Sequence, residues 1–386
     1  MNRIEFIKVV GLLGIGWPLY SSCGPTKKRI PLNSHDKVII IGAGAAGLSA
    51  AYLLWQKGVE VEILEANTNY GGRMKRTTSF ADFPIPTGAE WLHEKRKTLD
   101  EIVNNKSINI KTVTKGYNFK TDDAIIDGRK ENLKELGFTV DLKFINATWF
   151  DFYEDYIVPS IKDQIRLNQL VKSIDYTSDK IVIQTEDQTY EADRVIITVP
   201  VKLLQNKAIT FTPSLPSEKA EALKKVKVWA GGKAFIEFSE KFYPVATGFN
   251  AIPIEQGHKL FYDAAYGQDT QQHILGVFAV GPIAQAYLER DDAELIQYLL
   301  AELDEQFDGK ASPNYKKHIF QNWATEPFAQ GAYVHYLEDW KNIRALGKSV
   351  ADKLYFAGDA YTDGSSWSSV HTAAQAAKRV VRELVG

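Results

Sequence analysis

Three glycines at fixed spacing are the first residues whose types could support chemistry. Gly42, Gly44 and Gly47 follow the apolar stretch 38–41 and open the apolar-periodic stretch 48–56. In a strand-turn-helix unit, the first glycine makes a tight turn and the second lets the backbone approach a pyrophosphate. The third lets the helix pack closely on the strand. The pattern therefore predicts a βαβ unit that binds a dinucleotide.

An acidic residue ends the second strand of this unit. The stretch 59–64 is apolar and alternating, and Glu65 follows it directly. A carboxylate at this point accepts hydrogen bonds from the ribose of a bound dinucleotide. Ala66 comes next, while Ala45 and Ala46 begin the helix whose N-terminal N–H groups attract phosphate. We expect these residues to bind the cofactor, but the fingerprint alone leaves NAD and FAD open.

Length and composition exclude several classes of protein. The chain has 386 residues, of which 45% are hydrophobic and 24% are charged, as in ordinary globular proteins. The length suits two domains. A net charge of −2 provides no basic surface for a polyanion, so no nucleic-acid partner is expected. We expect no metal site.

The residues after Glu65 distinguish between the two dinucleotides. Gly71, Gly72 and Arg73 form a glycine pair followed by an arginine, a continuation that resembles the flavin-dependent amine oxidases. The resemblance implies that Gly72 and Arg73 lie beside the pyrophosphate or the flavin oxygens of FAD. The stretch 82–91 resembles the segment that passes the flavin in this family, which assigns four further residues to the cofactor: Gly88, Ala89, Glu90 and Trp91.

Two C-terminal stretches, 354–360 and 368–374, resemble the signature of the same family. Asp359 stands where glutamate is more usual and Thr372 where glycine is more usual. A helix that begins near Ser369 would direct its positive end to the N1–C2=O edge of the flavin. The resemblance assigns to FAD the residues Gly358, Asp359, Ser369, Val370 and Ala373, and also Val171 near the adenine and Trp323.

The resemblance also implies which residues carry the chemistry. Lys233 lies in an apolar strand and corresponds to the family lysine that reaches flavin N5 through a water, although taken alone it is typical of a solvated strand lysine. Tyr333 corresponds to one wall of an aromatic slot. Trp367 is a candidate for the other wall, one or two residues after the family position, and His93 for a residue at the amine entrance. Since Ala332 replaces the flavin-linking cysteine of monoamine oxidases, we expect FAD to be bound non-covalently.

The first 23 residues predict an export signal. The apolar stretch 9–20 is too short to span a bilayer, and Cys23, the single cysteine, follows small residues as in a bacterial lipoprotein acylation site. We therefore expect an exported bacterial protein, either tethered to the membrane by a lipid at Cys23 or periplasmic.

Hydrophobic periodicity predicts the remaining elements. Helices are expected at 98–105, 145–161, 217–226 and 293–307, and strands at 165–177, 180–185, 189–192, 194–199, 227–238, 249–254, 259–264 and 273–280. The predicted fold class is α/β, with a discontinuous Rossmann-like FAD-binding domain and a second α+β substrate domain built on a mixed sheet. The predicted boundaries are 1–23 (signal), 24–36 (linker), 37–100, 162–212 and 315–386 (FAD domain), and 101–161 and 213–314 (substrate domain).

The predicted function is the FAD-dependent oxidation of a primary or secondary amine, with O2 reduced to H2O2. Trp91 occupies the segment in which L-amino acid oxidases carry a carboxylate-binding arginine, which favours a plain amine. Two alternatives stay open. One is a flavin desaturase or protoporphyrinogen-oxidase-like enzyme, and the other is an exported flavin-binding protein without turnover. The sequence predicts no oligomeric state.

Overall fold

A computed structural model of the chain describes residues 32, 35–138, 140–335 and 337–386. The predicted signal and Cys23 lie outside these residues. The strands are β1 (Lys37–Ile41), β2 (Glu60–Leu64), β3 (Val113–Gly116), β4 (Asp123–Ile126), β5 (Arg129–Asn132), β6 (Leu142–Ile145), β7 (Ile165–Arg166), β8 (Val171–Asp175), β9 (Ile181–Thr185), β10 (Thr189–Ala192), β11 (Arg194–Ile197), β12 (Thr210–Thr212), β13 (Val228–Trp229), β14 (Gly231–Phe238), β15 (Ala246–Gly248), β16 (His258–Asp263), β17 (His273–Val280), β18 (Tyr315–Asn322), β19 (Tyr333–Val334) and β20 (Leu354–Phe356).

Ten α-helices lie within the described part of the chain. They are α1 (Ala45–Trp55), α2 (Lys97–Val103), α3 (Trp149–Tyr156), α4 (Val201–Gln205), α5 (Ser217–Lys225), α6 (Gln285–Leu288), α7 (Asp292–Gln306), α8 (Ala311–Asn314), α9 (Trp340–Gly347) and α10 (Val370–Val385). None of these helices is long and apolar enough to cross a membrane.

A five-stranded parallel sheet forms the nucleotide-binding half of the molecule, in the order β20-β11-β1-β2-β7. Strand β1 lies at its centre and is covered on both faces. Val38 and Ile40 pack in one apolar cluster with α1 and α10, while Ile39 and Ile41 pack in a second cluster on the other face. Burial on both faces explains why the strand is continuously apolar. The Rossmann-like fold class is confirmed.

The predicted strand 165–177 is wrong because it is two strands in two sheets. β7 pairs with β2 of the five-stranded sheet, whereas β8 belongs to a four-stranded sheet in the order β10-β9-β8-β12. Between them, Asn168 adopts φ +58° and the N–H of Gln169 donates to the carbonyl of Glu65. The left-handed residue turns the chain away from the first sheet.

A seven-stranded mixed sheet forms the other half, in the order β18-β14-β17-β16-β15-β4-β5. Strand β14, which carries Lys233, is buried along its whole length and pairs antiparallel with β17 and β18. Because β18 belongs to this sheet, the prediction that residues from 315 onward return to the FAD domain is wrong at that boundary. Ile319 and Phe320 lie opposite Phe235 and Ala234, and this pairing places β18 in the second sheet.

Three other predicted elements differ in the structure. The predicted helix 145–161 begins only at Trp149, since residues 142–145 are β6 and Thr148 accepts the N–H of Asp151 as a helix cap. The predicted strand 227–238 is divided between β13 and β14. The predicted strand 249–254 is wrong, because the strand here is β15 and Pro253 precedes a single 3₁₀ turn.

Candidate functional site

One cavity of about 1720 Å³ extends from the five-stranded sheet to the seven-stranded sheet. It brings together residues that are far apart in the sequence. The predicted cofactor and catalytic residues that line it are Gly42, Gly44, Ala45, Ala46, Glu65, Ala66, Gly72, Arg73, Gly88, Ala89, Glu90, Trp91, His93, Val171, Lys233, Trp323, Tyr333, Gly358, Asp359, Trp367, Ser369, Val370 and Ala373. Gly47 does not line the cavity.

The three glycines of the first turn have separate structural roles. Gly42 adopts φ +103°, which favours glycine. A Cβ atom on Gly47 would lie 1.9 Å from the carbonyl oxygen of Gly42, so this glycine lets α1 approach the turn. A Cβ on Gly44 would meet no atom within 4 Å. Gly44 therefore leaves open space at the N-terminus of α1, where a pyrophosphate would bind.

The glycine pair lies directly against this turn. Gly72 adopts φ +54°, and a Cβ on it would lie 3.3 Å from the Cα of Gly44. Gly88 also packs closely on backbone. A Cβ there would lie 2.0 Å from the carbonyl oxygen of Arg73, so a side chain would not fit at this position.

Glu65 is held in place by two backbone groups. The N–H of Ala43 donates to one carboxylate oxygen at 2.6 Å and the N–H of Asn67 donates to the other at 2.9 Å. Burial raises the pKa of Glu65, while these backbone donors oppose the rise. A carboxylate fixed at the end of β2 and facing the cavity can accept hydrogen bonds from a ribose.

Arg73 connects three of the predicted motifs. Its guanidinium donates to both carboxylate oxygens of Asp359, at 2.5 and 3.1 Å, and to the carbonyl oxygen of Ala332 at 2.6 Å. The paired geometry fixes the plane of the guanidinium. Thus Asp359, despite its shorter side chain than the usual glutamate, reaches Arg73.

Helix α10 begins at the cavity wall. Ser369 is the residue before its first turn, and the N–H of Ser369 donates to Oγ1 of Thr372 at 3.1 Å. Thr372, in the position where glycine is usual, thereby closes the start of the helix. The first N–H groups of a helix carry partial positive charge, so this wall favours a partly negative flavin edge. Together with the glycine turns and Glu65, it makes the cavity suitable for FAD.

The family models agree with this geometry. A model described as flavin containing amine oxidoreductase matches residues 153–385, and a model described as NAD(P)-binding Rossmann-like domain matches residues 40–104. The chain belongs to the flavin-containing amine oxidoreductases.

Similar proteins include lysine-specific histone demethylase 2 of Homo sapiens, which is 24% identical over 92% of this chain and 54% of its own length. Probable polyamine oxidase 4 of Arabidopsis thaliana is 25% identical over 85% of this chain and 83% of its own length. The chain spans about half the length of the two histone demethylases that it matches. A solved structure of a redesigned putrescine oxidase has the same fold, with a TM-score of 0.75, 14% identity, and coverage of 91% of this chain and 98% of that chain.

Lys233 of this flavin-containing oxidoreductase is buried, with 3% of its surface exposed. Its Nζ donates to the carbonyl oxygens of Pro86 at 2.9 Å and Gly88 at 3.2 Å, and to Oε2 of Glu90 at 2.5 Å. The interpretation of Lys233 as a solvated strand lysine is therefore wrong. Glu90, which the resemblance assigns to FAD, lines the cavity, and its carboxylate contacts Lys233.

Tyr333 and Trp367 are both partly buried in the cavity wall. Tyr333 lies on β19, which pairs with β13. The indole Nε1 of Trp367 donates to the carbonyl oxygen of His335 at 3.1 Å, which fixes one edge of the ring. Trp323, assigned to FAD, donates from its indole to the carbonyl oxygen of Thr87 at 3.1 Å.

His93 has a partner that the sequence did not reveal. Its Nδ1 lies 2.8 Å from Oδ1 of Asp141, a carboxylate that is 3% exposed. Asp141 precedes β6, whose Leu142 forms a bridge with Leu92, and this bridge brings the pair together. No spacing motif marks Asp141. Burial, together with the charge of His93, lowers the pKa of His371 to about 4, so His371 is neutral beside them at neutral pH.

Among the residues that the structure describes, no group of three or more His, Cys, Asp or Glu side chains is arranged to hold a metal ion.

Proposed function

We propose that the chain oxidises a primary or secondary amine, of the polyamine or monoamine type, with FAD bound non-covalently and O2 as the electron acceptor. The observation that carries this proposal is the cavity of about 1720 Å³, which the glycine turns, Glu65, Lys233 and Tyr333 all line. The names of the polyamine and putrescine oxidases among similar proteins support an amine substrate.

Bound FAD would accept a hydride from the carbon next to the amine nitrogen and pass both electrons to O2, giving H2O2. The protein groups bind and orient the reactants. Gly42, Gly44 and the start of α1 would hold the pyrophosphate, and Glu65 the ribose. Arg73 and the start of α10 would place positive charge around the flavin. The resulting imine would be released and hydrolysed by water. A primary amine would give an aldehyde and ammonia, and a secondary amine would give an aldehyde and a smaller amine.

The aromatic side chains would position the amine. Tyr333 and Trp367 line the same cavity as Lys233, and two such rings restrict the directions from which an amine can approach. The neutral amine is the form that gives up hydride. His93, hydrogen-bonded to Asp141, is placed to take the proton that an incoming ammonium must lose.

The cavity lining also favours a cationic substrate. Outside the predicted site residues, the lining has more carboxylates than cationic side chains: Glu94, Glu135, Asp141, Glu154, Glu255 and Glu326, against Lys75, Arg76, Lys172 and Lys259. Carboxylates in a cleft raise the local concentration of cations. Trp91, and not an arginine, lies in the segment that follows Gly88, which supports a plain amine over an amino acid.

The proposal is tested by measuring peroxide and flavin reduction with a panel of monoamines, diamines and polyamines. Tyr333→Ala should slow amine-dependent flavin reduction about 10- to 1000-fold through lost orientation, while Tyr333→Phe, which keeps the ring, should stay near wild type. A flavin that no amine reduces would overturn the proposal. Reduction of the flavin by a porphyrinogen or a polyene instead would favour the desaturase or protoporphyrinogen-oxidase-like alternative. If no compound reduces the flavin, the flavin-binding protein without turnover would be favoured.

A further inference from the structure

Glu90 lies at the centre of a buried cluster of charged and polar groups. Oε2 accepts a hydrogen bond from Lys233 and another from the hydroxyl of Tyr262, both at 2.5 Å, and Oε1 lies 3.3 Å from Nζ of Lys143. The four residues are each at most 5% exposed. Gly276 makes the arrangement possible, since a Cβ there would lie 2.3 Å from the Tyr262 ring.

The ammonium of Lys233 has as many acceptors in the protein as it has N–H groups. A lysine ammonium has three donors. The carbonyl oxygens of Pro86 and Gly88 and the carboxylate of Glu90 are the three acceptors. These contacts hold the ammonium of Lys233 in the cavity wall.

We propose that Glu90 is a positioning residue for Lys233, which keeps the lysine charged and fixes its Nζ in the cavity wall. Lys233 then places a fixed positive charge beside the flavin. The inference rests on the proposed function for the location of the flavin.

The surrounding charges support this role. Burial lowers the pKa of Lys233, the charge and hydrogen bond of Glu90 oppose that change, and the charge of Lys143 adds to it. Burial acts against the charge of Glu90, but Lys233, Lys143 and the hydroxyl of Tyr262 together lower its pKa. Glu90 is therefore ionised. Within the described residues, Glu90 is the charged group in contact with Lys233 that favours the ammonium.

The other groups packed on Lys233 do not replace this carboxylate. Strand β14 has Phe278 of β17 and Gln321 of β18 opposite Lys233, and both are uncharged. Strand β6 contributes Lys143 and β16 contributes Tyr262. The rings of Trp91, Phe235 and Tyr262 lie 5.4, 5.1 and 5.7 Å from Nζ of Lys233 and favour a cation. Without the Glu90 charge, burial and Lys143 would favour the neutral amine against these rings and the two carbonyl acceptors.

Glu90→Gln keeps the shape and removes the charge. In flavin-loaded protein, deprotonation of Lys233 removes a positive charge beside the flavin and should produce a step in a plot of the flavin midpoint potential against pH. Because the adjacent opposite charge of Glu90 is lost, this step should occur about 1 to 3 pH units lower in Glu90→Gln than in wild type. Tyr262→Phe removes a neutral hydrogen bond to the same oxygen and should leave that pH unchanged. Glu101→Gln, an equal charge change on the exposed face of α2, serves as the matched control.

A second measurement uses flavin-free protein. In folded Glu90→Gln, the pKa of Lys233 should be lower than in folded wild type. The variant should therefore be less stable than wild type mainly at pH values at which the lysine is charged. Its deficit in unfolding free energy should shrink as pH rises, since both proteins then carry a neutral Lys233. Tyr262→Phe should instead show a deficit that does not vary with pH. If Glu90→Gln folds poorly, the double variant Glu90→Gln/Lys143→Met leaves Lys233 as the single positive charge of the cluster. It should recover part of the wild-type pH response in both measurements.

The two results separate this inference from the proposed function. A Glu90→Gln protein that is folded and keeps the wild-type pH response in both measurements would overturn the role of Glu90. Failure of amines to reduce the flavin would overturn the proposed function, while the flavin-free measurement would still test the Glu90–Lys233 pair.

Discussion

Gly44→Val should impair cofactor binding and Gly47→Ala should impair stability, although the two glycines are only three residues apart. A side chain on Gly44 points into open space, with no atom within 4 Å of an ideal Cβ. Gly44 precedes α1 in an extended conformation that other residues adopt, so the cost in unfolding free energy should be below about 1 kcal/mol.

Gly44→Val would, however, fill the space that a pyrophosphate needs. The loss of two charge-assisted hydrogen bonds at about 1.5 to 3 kcal/mol each corresponds to a loss of about 100-fold or more in FAD affinity. The measurement is FAD titration by quenching of flavin fluorescence, with thermal unfolding of the flavin-free protein alongside it. Wild-type affinity in Gly44→Val would refute the placement of the pyrophosphate at this turn.

Gly47→Ala should destabilise the fold itself. The added Cβ would lie 1.9 Å from the carbonyl oxygen of Gly42, whereas ordinary contacts begin at 3.4 Å, so helix and turn must separate by about 1.5 Å. Overpacking of this kind costs roughly 1 to 3 kcal/mol. The flavin-free variant should unfold several degrees below wild type. An unchanged unfolding temperature would refute the close packing of α1 on the turn.

Three further predictions concern separate parts of the chain. Acid precipitation should release the flavin into the supernatant, because Ala332 offers no thiol; flavin that stays with the denatured chain would contradict non-covalent binding. Lys219 donates to the last carbonyls of α9, and burial lowers its pKa from 10.5 to about 7, so the unfolded chain binds more protons between these values. Stability relative to Lys219→Met should therefore rise from pH 7 to pH 9, and a difference that is flat with pH, measured by denaturant unfolding, would be inconsistent with a depressed pKa. Cys23→Ala should move the protein from the membrane fraction to the soluble fraction with its activity intact, and an equal distribution of both proteins would argue against the proposed lipid anchor.

The nucleotide-binding half was predictable because its signals are local. Gly42, Gly44 and Gly47 lie within one turn, and the requirement for each can be derived from the geometry of a strand followed by a helix. The same holds for the start of α7, where Asp291 accepts the N–H of Glu294, because an acidic residue before an amphipathic stretch is a local signal for a helix start.

The features that were missed depend on sheet register. Glu90 meets Lys233 and Lys143 only because β14 and β6 bring distant positions together, and no spacing in the sequence encodes that meeting. β15 is the short segment Ala246–Gly248, without apolar alternation, and it is a strand because β4 and β16 pair with it on both sides. Tertiary pairing overrides local propensity in both cases.

The position of α10 has a consequence for how the protein is made. Helix α10 packs on α1 in one apolar cluster and β20 pairs with β11, so elements at opposite ends of the described chain complete a single sheet and its covering layer. A ribosome releases the glycine turn and Glu65 well before the wall formed by α10. The nascent chain should therefore be unable to retain its cofactor until α10 has been synthesised. Contacts so distant in sequence also predict slow folding.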